Sequence, residues 1–246
     1  MEWYTTLLLG LAILFCLFLS GAPVFLAFLA AIIVGIYFII GPAGFPMFIN
    51  SIYDTATTTS LASIPLFILM GEFLFRSGTM NILFDSIDKI VGNLKGRQYV
   101  LIVLLSAVFG ALSGVAMAVA AMLGRSIMPG MEERGYNREI AAGLIIGGAS
   151  LAPIIPPSLL AIIVGSIAHV SIAKLLVAGI IPGLLIVGIF LAYVFVRIAI
   201  DPKLAPANDY SERDQVSIGE ILLALIRTLP FIIVIFSVMG FIMLGI

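Results

Sequence analysis

The chain alternates long apolar runs with short polar turns. Residues 5–19 and 24–40 are almost wholly apolar and are separated by Ser20-Gly21-Ala22-Pro23, a turn with helix-breaking chemistry. Runs of this length predict two membrane-spanning helices joined as a hairpin. After Gly41-Pro42, residues 44–53 place Phe45, Phe48, Ile49, Ile52 and Tyr53 at helical spacing on one face, which predicts a short helix lying in the membrane interface. Residues 54–60 are polar and rich in hydroxyls and read as a loop. A third run, 61–75, is short for a span and carries Glu72 near its end, with Arg76 four residues on for pairing. That position favours a paired interfacial acid over a proton-relay carboxylate.

Residues 79–94 form a second amphipathic stretch. Met80, Leu83, Ile87, Ile90, Val91 and Leu94 share a face, while Asp85, Asp88 and Lys89 fall elsewhere around the helix. It is expected to lie flat as a strut between spans. The next apolar run, 99–128, is interrupted at its middle by Gly110-Ala111-Leu112-Ser113-Gly114. Length alone allows either one long span or a re-entrant hairpin with Ser113-Gly114 at its tip. Two further spans, 138–168 and 175–196, precede a polar segment, 201–217, that holds Pro202, Pro206 and alternating charges and reads as a linker. A last apolar run, 218–245, follows.

One stretch contradicts the spans around it. Gly147-Gly148-Ala149-Ser150-Leu151-Ala152-Pro153-Ile154-Ile155-Pro156-Pro157-Ser158 lies inside an apolar segment yet is the least helix-like sequence in the chain. Pro153, Pro156 and Pro157 remove backbone donors and clash with carbonyls one turn earlier. Broken backbone at membrane depth is tolerated only where protein buries it or where it lines a watery cavity. The stretch is therefore a candidate ion or substrate site; the plainer alternative is a proline-kinked helix that binds nothing.

Composition fixes the class. Of 246 residues, 62% are apolar and 10% charged, and the mean hydropathy is +1.26, which makes an all-α polytopic membrane protein. Twelve Lys and Arg against thirteen Asp and Glu give a net charge of −1 with no basic patch, which argues against nucleic acid as a partner. Cys16 is the single cysteine, so no disulfide framework is possible; in its apolar run it reads as a small buried hydrophobe. Met1-Glu2-Trp3-Tyr4 lacks the positive start of a signal peptide, so the first span is expected to be retained, with Trp3 and Tyr4 as interfacial anchors. His169 stands at a short turn with no neighbouring carboxylate in sequence and reads as structural.

Charge placement chooses between the two readings of 99–128. Lys89, Lys95 and Arg97 precede the run and Arg125, Arg134 and Arg138 follow it. A single crossing would put one basic cluster outside, whereas a re-entrant hairpin returns the chain to the side it left. The hairpin is the consistent choice. Arg197, Lys203 and Arg213 then also fall inside, and the N-terminus, residues 44–60 and the His169 turn fall outside, where Lys174 is the one basic residue in a loop. Arg125, at the end of the hairpin's second arm, reads as a topology anchor.

Hairpin and broken span are both discontinuous helices, which supply unwound carbonyls and half-helix ends to cations near the midplane. The available ligands are Ser113, Ser150, Ser158 and the carbonyls around Gly114, Gly148 and Ala149. Hard oxygen donors without carboxylate, histidine or thiolate suit sodium and not a transition metal. No nucleophile, histidine and acid set and no Walker-type loop is present, so neither hydrolytic chemistry nor ATP-driven pumping is expected of this sequence. Gly110, Gly114, Gly147 and Gly148 would let the two elements approach closely; a packing role alone also accounts for such small residues.

Together the N-terminal hairpin, the interfacial helix, Phe109-Gly110-Ala111-Leu112-Ser113-Gly114-Val115-Ala116-Met117-Ala118 and the stretch ending Ile155-Pro156-Pro157-Ser158 resemble the large membrane subunit of tripartite ATP-independent periplasmic (TRAP) transporters. The resemblance implies sodium-coupled symport of organic acids such as C4-dicarboxylates or sugar acids across a bacterial or archaeal cytoplasmic membrane. The partners it implies are a small four-helix membrane subunit and a periplasmic binding protein. It implies an elevator mechanism, with residues 1–60 as scaffold helices and external interfacial helix, and 61–97 as third span and cytoplasmic arm helix. The hairpin would be 98–128, the broken helix 129–170, the next span 171–200, the linker 201–217, and 218–246 the first span of a second repeat. Val115 and Ala116 stand where the family's tip usually continues with small hydroxyl residues. The family subunit is about twice this length and built of two inverted halves, and no second hairpin or proline-rich break follows residue 201. Other expectations are a different elevator-type ion-coupled carrier that needs no binding protein, or a non-functional fragment.

Overall fold

The computed structural model describes residues 3–92, 94–206 and 218–244. Every regular element among them is helical, and they fall into two compact units, residues 1–58 and 59–246.

In the first unit, α1 (Trp3–Leu19) and α2 (Val24–Gly35) pack on each other across the turn at residues 20–23. Gly21 takes φ +77° there, and Phe18 and Phe28 meet edge to face at 6.0 Å. One turn of π-helix, Ile36–Ile40, ends α2, and α3 (Gly44–Ala56) starts directly against it. A Cβ at Gly44 would lie 2.7 Å from Ile36 Cγ2, so only glycine fits. The expected loop over 54–60 is shorter than the polar composition suggested. Helix α3 continues to Ala56 because Thr55, Thr57 and Thr58 turn their hydroxyls back onto the carbonyls of Ser51, Tyr53 and Asp54, which satisfies the helix end. Cys16 is exposed, not buried. Among the described residues of this unit α1 packs chiefly on α2, and apolar side chains on both helices, Leu19 and Phe25 among them, are left uncovered.

The second unit begins with α4 (Thr59–Arg76), where Glu72 and Arg76 pair one turn apart, and α5 (Thr79–Val91). Leu83, Ile87 and Val91 of α5 are buried, whereas Ile90 and Leu94, assigned to the same face, are exposed. Asp88, expected on the polar side, is buried as well. It forms an ion pair with Arg97, itself 4% exposed, and Arg97 also donates to the Asp88 carbonyl at 3.3 Å. The pair spans the bend from α5 to α6 (Arg97–Ser113), where Gly92 and Gly96 take φ +60° and +71°.

After a turn at Gly114 and Val115, α7 (Ala116–Ser126) comes back beside α6; Phe109 of α6 and Met122 and Leu123 of α7 line one small cavity. A short α8 (Met128–Glu133) leads to α9 (Arg138–Ala149), capped by the Asn137 side chain on the amide of Ile140 at 3.0 Å. Irregular backbone runs to Ser158, the peptide between Pro156 and Pro157 being cis, and α10 (Leu159–Ile167) follows. His169 adopts φ +54° at the turn into α11 (Ile172–Ile200). A single 3₁₀ turn, Pro202–Leu204, precedes the part of the expected linker, residues 207–217 with Arg213, that lies outside the described residues; α12 (Ile218–Leu244) packs on α5 and α11.

Length and exposure mark the chain as a polytopic membrane protein. At 29 residues α11 is about 43 Å long, and α12 is nearly as long, so each exceeds a bilayer's hydrocarbon core. Their apolar side chains face outward, Ile181 at 75% and Phe236 at 72% exposure among them, as a lipid surface requires. The interior of the second unit is instead filled by α6: Tyr99, Leu101, Ile102, Val103, Leu105 and Phe109 are all within 1% of full burial.

Candidate functional site

The hairpin α6–α7 and the interrupted helix α9–α10 meet along a line of small residues. Gly148 faces Ser106, Gly110 faces Ala152, and Gly114 faces Pro157 and Leu159. Numbers rise on both partners, so α6 and the α9 strand of the broken helix run side by side in the same direction. A Cβ at Gly110 would fall 2.9 Å from Ala152 Cα, and one at Gly114 3.1 Å from both the Pro157 carbonyl oxygen and the Leu159 amide nitrogen. The tip of the hairpin therefore rests on the break itself. From behind, α11 supports the break: a Cβ at Gly179 would be 2.4 Å from the Ile154 carbonyl oxygen, and one at Gly183 2.7 Å from Ile155.

The opposite ends of these elements are tied together. The Tyr99 hydroxyl, near the start of α6, accepts from the Asn137 amide at 3.0 Å and donates to the Leu204 carbonyl at 3.2 Å. Its ring packs edge to face on Tyr136 at 5.0 Å. Hairpin base, start of α9 and the turn after α11 thus share one end of the unit. Lys95, Arg138 and Lys203, which the charge argument put on one side, flank these residues in sequence.

The break starts later than the glycines suggested. Gly147 and Gly148 remain in α9, and the disruption begins at Ser150; likewise α6 runs unbroken through Gly110 to Ser113. A glycine in a helix interior costs about 1 kcal/mol against alanine, but here it removes a Cβ that would strike Ser106 at 2.4 Å or the Phe190 ring at 3.0 Å. Proline chemistry, not glycine, breaks the helix. Among the described residues the carbonyls of Ser150, Ala152, Ile154, Ile155, Pro156 and Pro157 accept no hydrogen bond, nor do those of Ala111, Leu112, Ser113 and Gly114 at the tip. Two groups of unpaired carbonyl oxygens therefore lie on elements in direct contact.

The hydroxyls singled out from the sequence turn inward to the backbone. Ser113, buried, accepts from the Val115 amide at 3.3 Å and shapes the tip. Ser150, exposed, donates to the Gly147 carbonyl at 2.6 Å. Ser158 is fully buried, donates to the Pro153 carbonyl at 2.6 Å and caps the Ala161 amide at 3.1 Å, so it closes the break and starts α10. Gly114 and Gly148 supply close contact, Ala149 is the last helical residue before the break, and Pro153, Pro156 and Pro157 form the break. Sequence reasoning missed Ser106. Its hydroxyl is wholly buried against Gly148 and has no hydrogen-bond partner among the described residues. The signal was a lone hydroxyl inside an apolar run, two turns before the tip. Buried unpaired hydroxyls are uncommon; hydroxyl and carbonyl oxygens alike are hard donors.

Residues 11–246 match the family described as tripartite ATP-independent periplasmic transporter, DctM component. The ectoine TRAP transporter large permease protein TeaC of Halomonas elongata is 33% identical over 178 residues, which cover 72% of this chain and 42% of that protein. The C4-dicarboxylate TRAP transporter large permease protein DctM of Pseudomonas aeruginosa is 32% identical over 163 residues, 66% of this chain and 38% of its own length. The 2,3-diketo-L-gulonate TRAP transporter large permease protein YiaN of Escherichia coli is 38% identical over 136 residues, 55% of this chain and 32% of the relative. The chain spans less than half the length of the curated relatives it matches. With its family match running from residue 11 to the last residue, the chain belongs to the DctM family of TRAP transporter large membrane subunits.

Proposed function

We propose that the chain forms the part of a TRAP large permease that couples sodium to the import of a small organic acid. The observation that carries the reading is the contact of Gly114 with Pro157 and Leu159, which joins two sets of unpaired carbonyls across one seam. Sodium would be held by carbonyl oxygens of the hairpin tip (Ser113, Gly114) and of the break, with Ser150 beside Gly148 and Ala149. The starts of α7 and α10, both opening at this seam, carry the partial positive charge that suits a carboxylate. The substrate class follows from relatives whose names give C4-dicarboxylate and 2,3-diketo-L-gulonate, both carboxylates, and ectoine. Delivery by a periplasmic binding protein and assembly with a small membrane subunit follow from family membership. Family membership also supports an inner-membrane location, and the placement of Lys and Arg along the sequence supports a cytoplasmic Tyr99 end and an external N-terminus. In the elevator reading, hairpin and broken helix move as one body, as their interlocked glycines favour.

Uptake of a labelled C4-dicarboxylate into vesicles that contain this subunit at full family length, its small subunit and its binding protein tests the coupling. Removing the sodium gradient is expected to abolish uptake; undiminished uptake would refute the coupling. Ser150→Ala is expected to raise the sodium concentration for half-maximal uptake, and an unchanged value removes Ser150 from the ion site.

A further inference from the structure

A cavity of about 480 Å³ opens between α9 and α11, away from the seam of hairpin and break. Its walls include Glu139, Ile140, Gly143, Phe190, Tyr193 and Arg197. Polar and apolar residues are sorted along it. Glu139 is in the first turn of α9 and Arg197 in the last turn of α11, the two helix ends gathered by the Tyr99 hydroxyl. Ile140, Gly143 and Phe190 continue from there toward the middle of the helices, and a Cβ at Gly143 would meet nothing within 4 Å, so the trough is open at that point. Neither Glu139 nor Arg197 makes an ion pair among the described residues, although the adjacent Arg138 is engaged with Glu132 at 3.1 Å.

We propose that this cavity binds an aminophospholipid of the phosphatidylethanolamine type, its phosphate on Arg197, its primary ammonium on Glu139 and an acyl chain along Phe190 and Gly143. Charge complementarity selects the headgroup. The site offers one guanidinium, which pairs with phosphate through forked N–H donors, and one carboxylate, which accepts N–H bonds from an ammonium. An anionic phosphatidylglycerol would leave Glu139 unmatched beside a like charge. Phosphatidylcholine has the right charges but no N–H to give, so it satisfies the carboxylate poorly. Placement at a helix end agrees with a headgroup at the membrane surface and a tail in the hydrocarbon. The apolar trough distinguishes a lipid from a free phosphoamine.

Native mass spectrometry of the detergent-purified chain, delipidated and then offered equimolar phosphatidylethanolamine, phosphatidylcholine and phosphatidylglycerol, tests the assignment. Wild-type protein is expected to retain the ethanolamine lipid preferentially, by about tenfold, as one charge-assisted hydrogen bond warrants. Soluble glycerophosphoethanolamine is expected not to displace it. Glu139→Gln should bring the ethanolamine-to-choline ratio near unity, and Arg197→Gln should lower retention of all three lipids by about tenfold. Equal retention of the three lipids by the wild-type protein, or no retention, overturns the proposal without recourse to any variant. Displacement by the soluble headgroup, or an unchanged lipid profile in folded Glu139→Gln and Arg197→Gln proteins, also overturns it.

Discussion

Gly110→Ala should weaken the seam between hairpin and broken helix by an amount that can be isolated. The added methyl would stand 2.9 Å from Ala152 Cα and 3.0 Å from its nitrogen, where carbon contacts prefer about 3.5–4.0 Å. Both neighbours are backbone, so no side-chain rotation relieves the clash, and the break or the hairpin must move by roughly 0.5–1 Å. Overpacking of this kind costs about 1–3 kcal/mol, while replacing a helical glycine by alanine returns about 1 kcal/mol of propensity. Gly124, on the second arm of the same hairpin, has nothing within 4 Å of its hypothetical Cβ. Gly124→Ala therefore gains the propensity without the clash, and the difference between the two variants isolates the seam at about 1–3 kcal/mol. Unfolding midpoints by far-ultraviolet circular dichroism, in mixed micelles titrated with denaturing detergent, measure it. A Gly110→Ala protein as stable as Gly124→Ala would refute the close packing of α6 on the break.

Three further substitutions probe the surroundings. Asp88→Leu leaves the Arg97 guanidinium buried without its carboxylate and should cost about 3–5 kcal/mol, most of which Asp88→Leu with Arg97→Met recovers; a double variant no more stable than the single one would deny the pair its role. Ser158→Ala removes the cap from Ala161 and the donor to Pro153, an expected loss of about 1–2 kcal/mol in the same unfolding assay, and no loss would show that the proline segment closes without it. Tyr99→Phe keeps the ring on Tyr136 but deletes the hydroxyl that joins Asn137 to Leu204, with about 1–2 kcal/mol expected; faster amide exchange at Asn137 is the local signature, and unaltered exchange there would argue against the tie.

Spans, hairpin and break were legible because each rests on local chemistry: apolar length, proline, and the alternation of basic clusters. The 54–60 segment reads as a longer loop than it forms, since hydroxyls that suggest a loop also reach carbonyls four residues earlier. Gly147 and Gly148 suggested disruption because a sequence displays a glycine's helix penalty and hides the neighbour that requires its small size, here Phe190 and Ser106. Asp88 reads as a residue off the apolar face because its partner, Arg97, lies nine residues away beyond a bend that no periodicity announces. Ser113, Ser150 and Ser158, expected as ligands, all bond backbone within five residues, a choice set by loop geometry that the sequence does not display.

The pairing of Ser106 with Gly148, Gly110 with Ala152 and Gly114 with Pro157 works as a notched edge that admits one alignment. Sliding α6 by a single turn would set Ser106 against Ala152 and present Ile102 to Gly148, so a side chain would meet a methyl or a missing methyl where only the native offset matches notch to tooth. Neighbouring alignments, ordinarily a hazard for parallel apolar helices that lack a polar mark, are thereby excluded by shape alone. The spacing between the carbonyl oxygens of the hairpin tip and those of the break is thereby held.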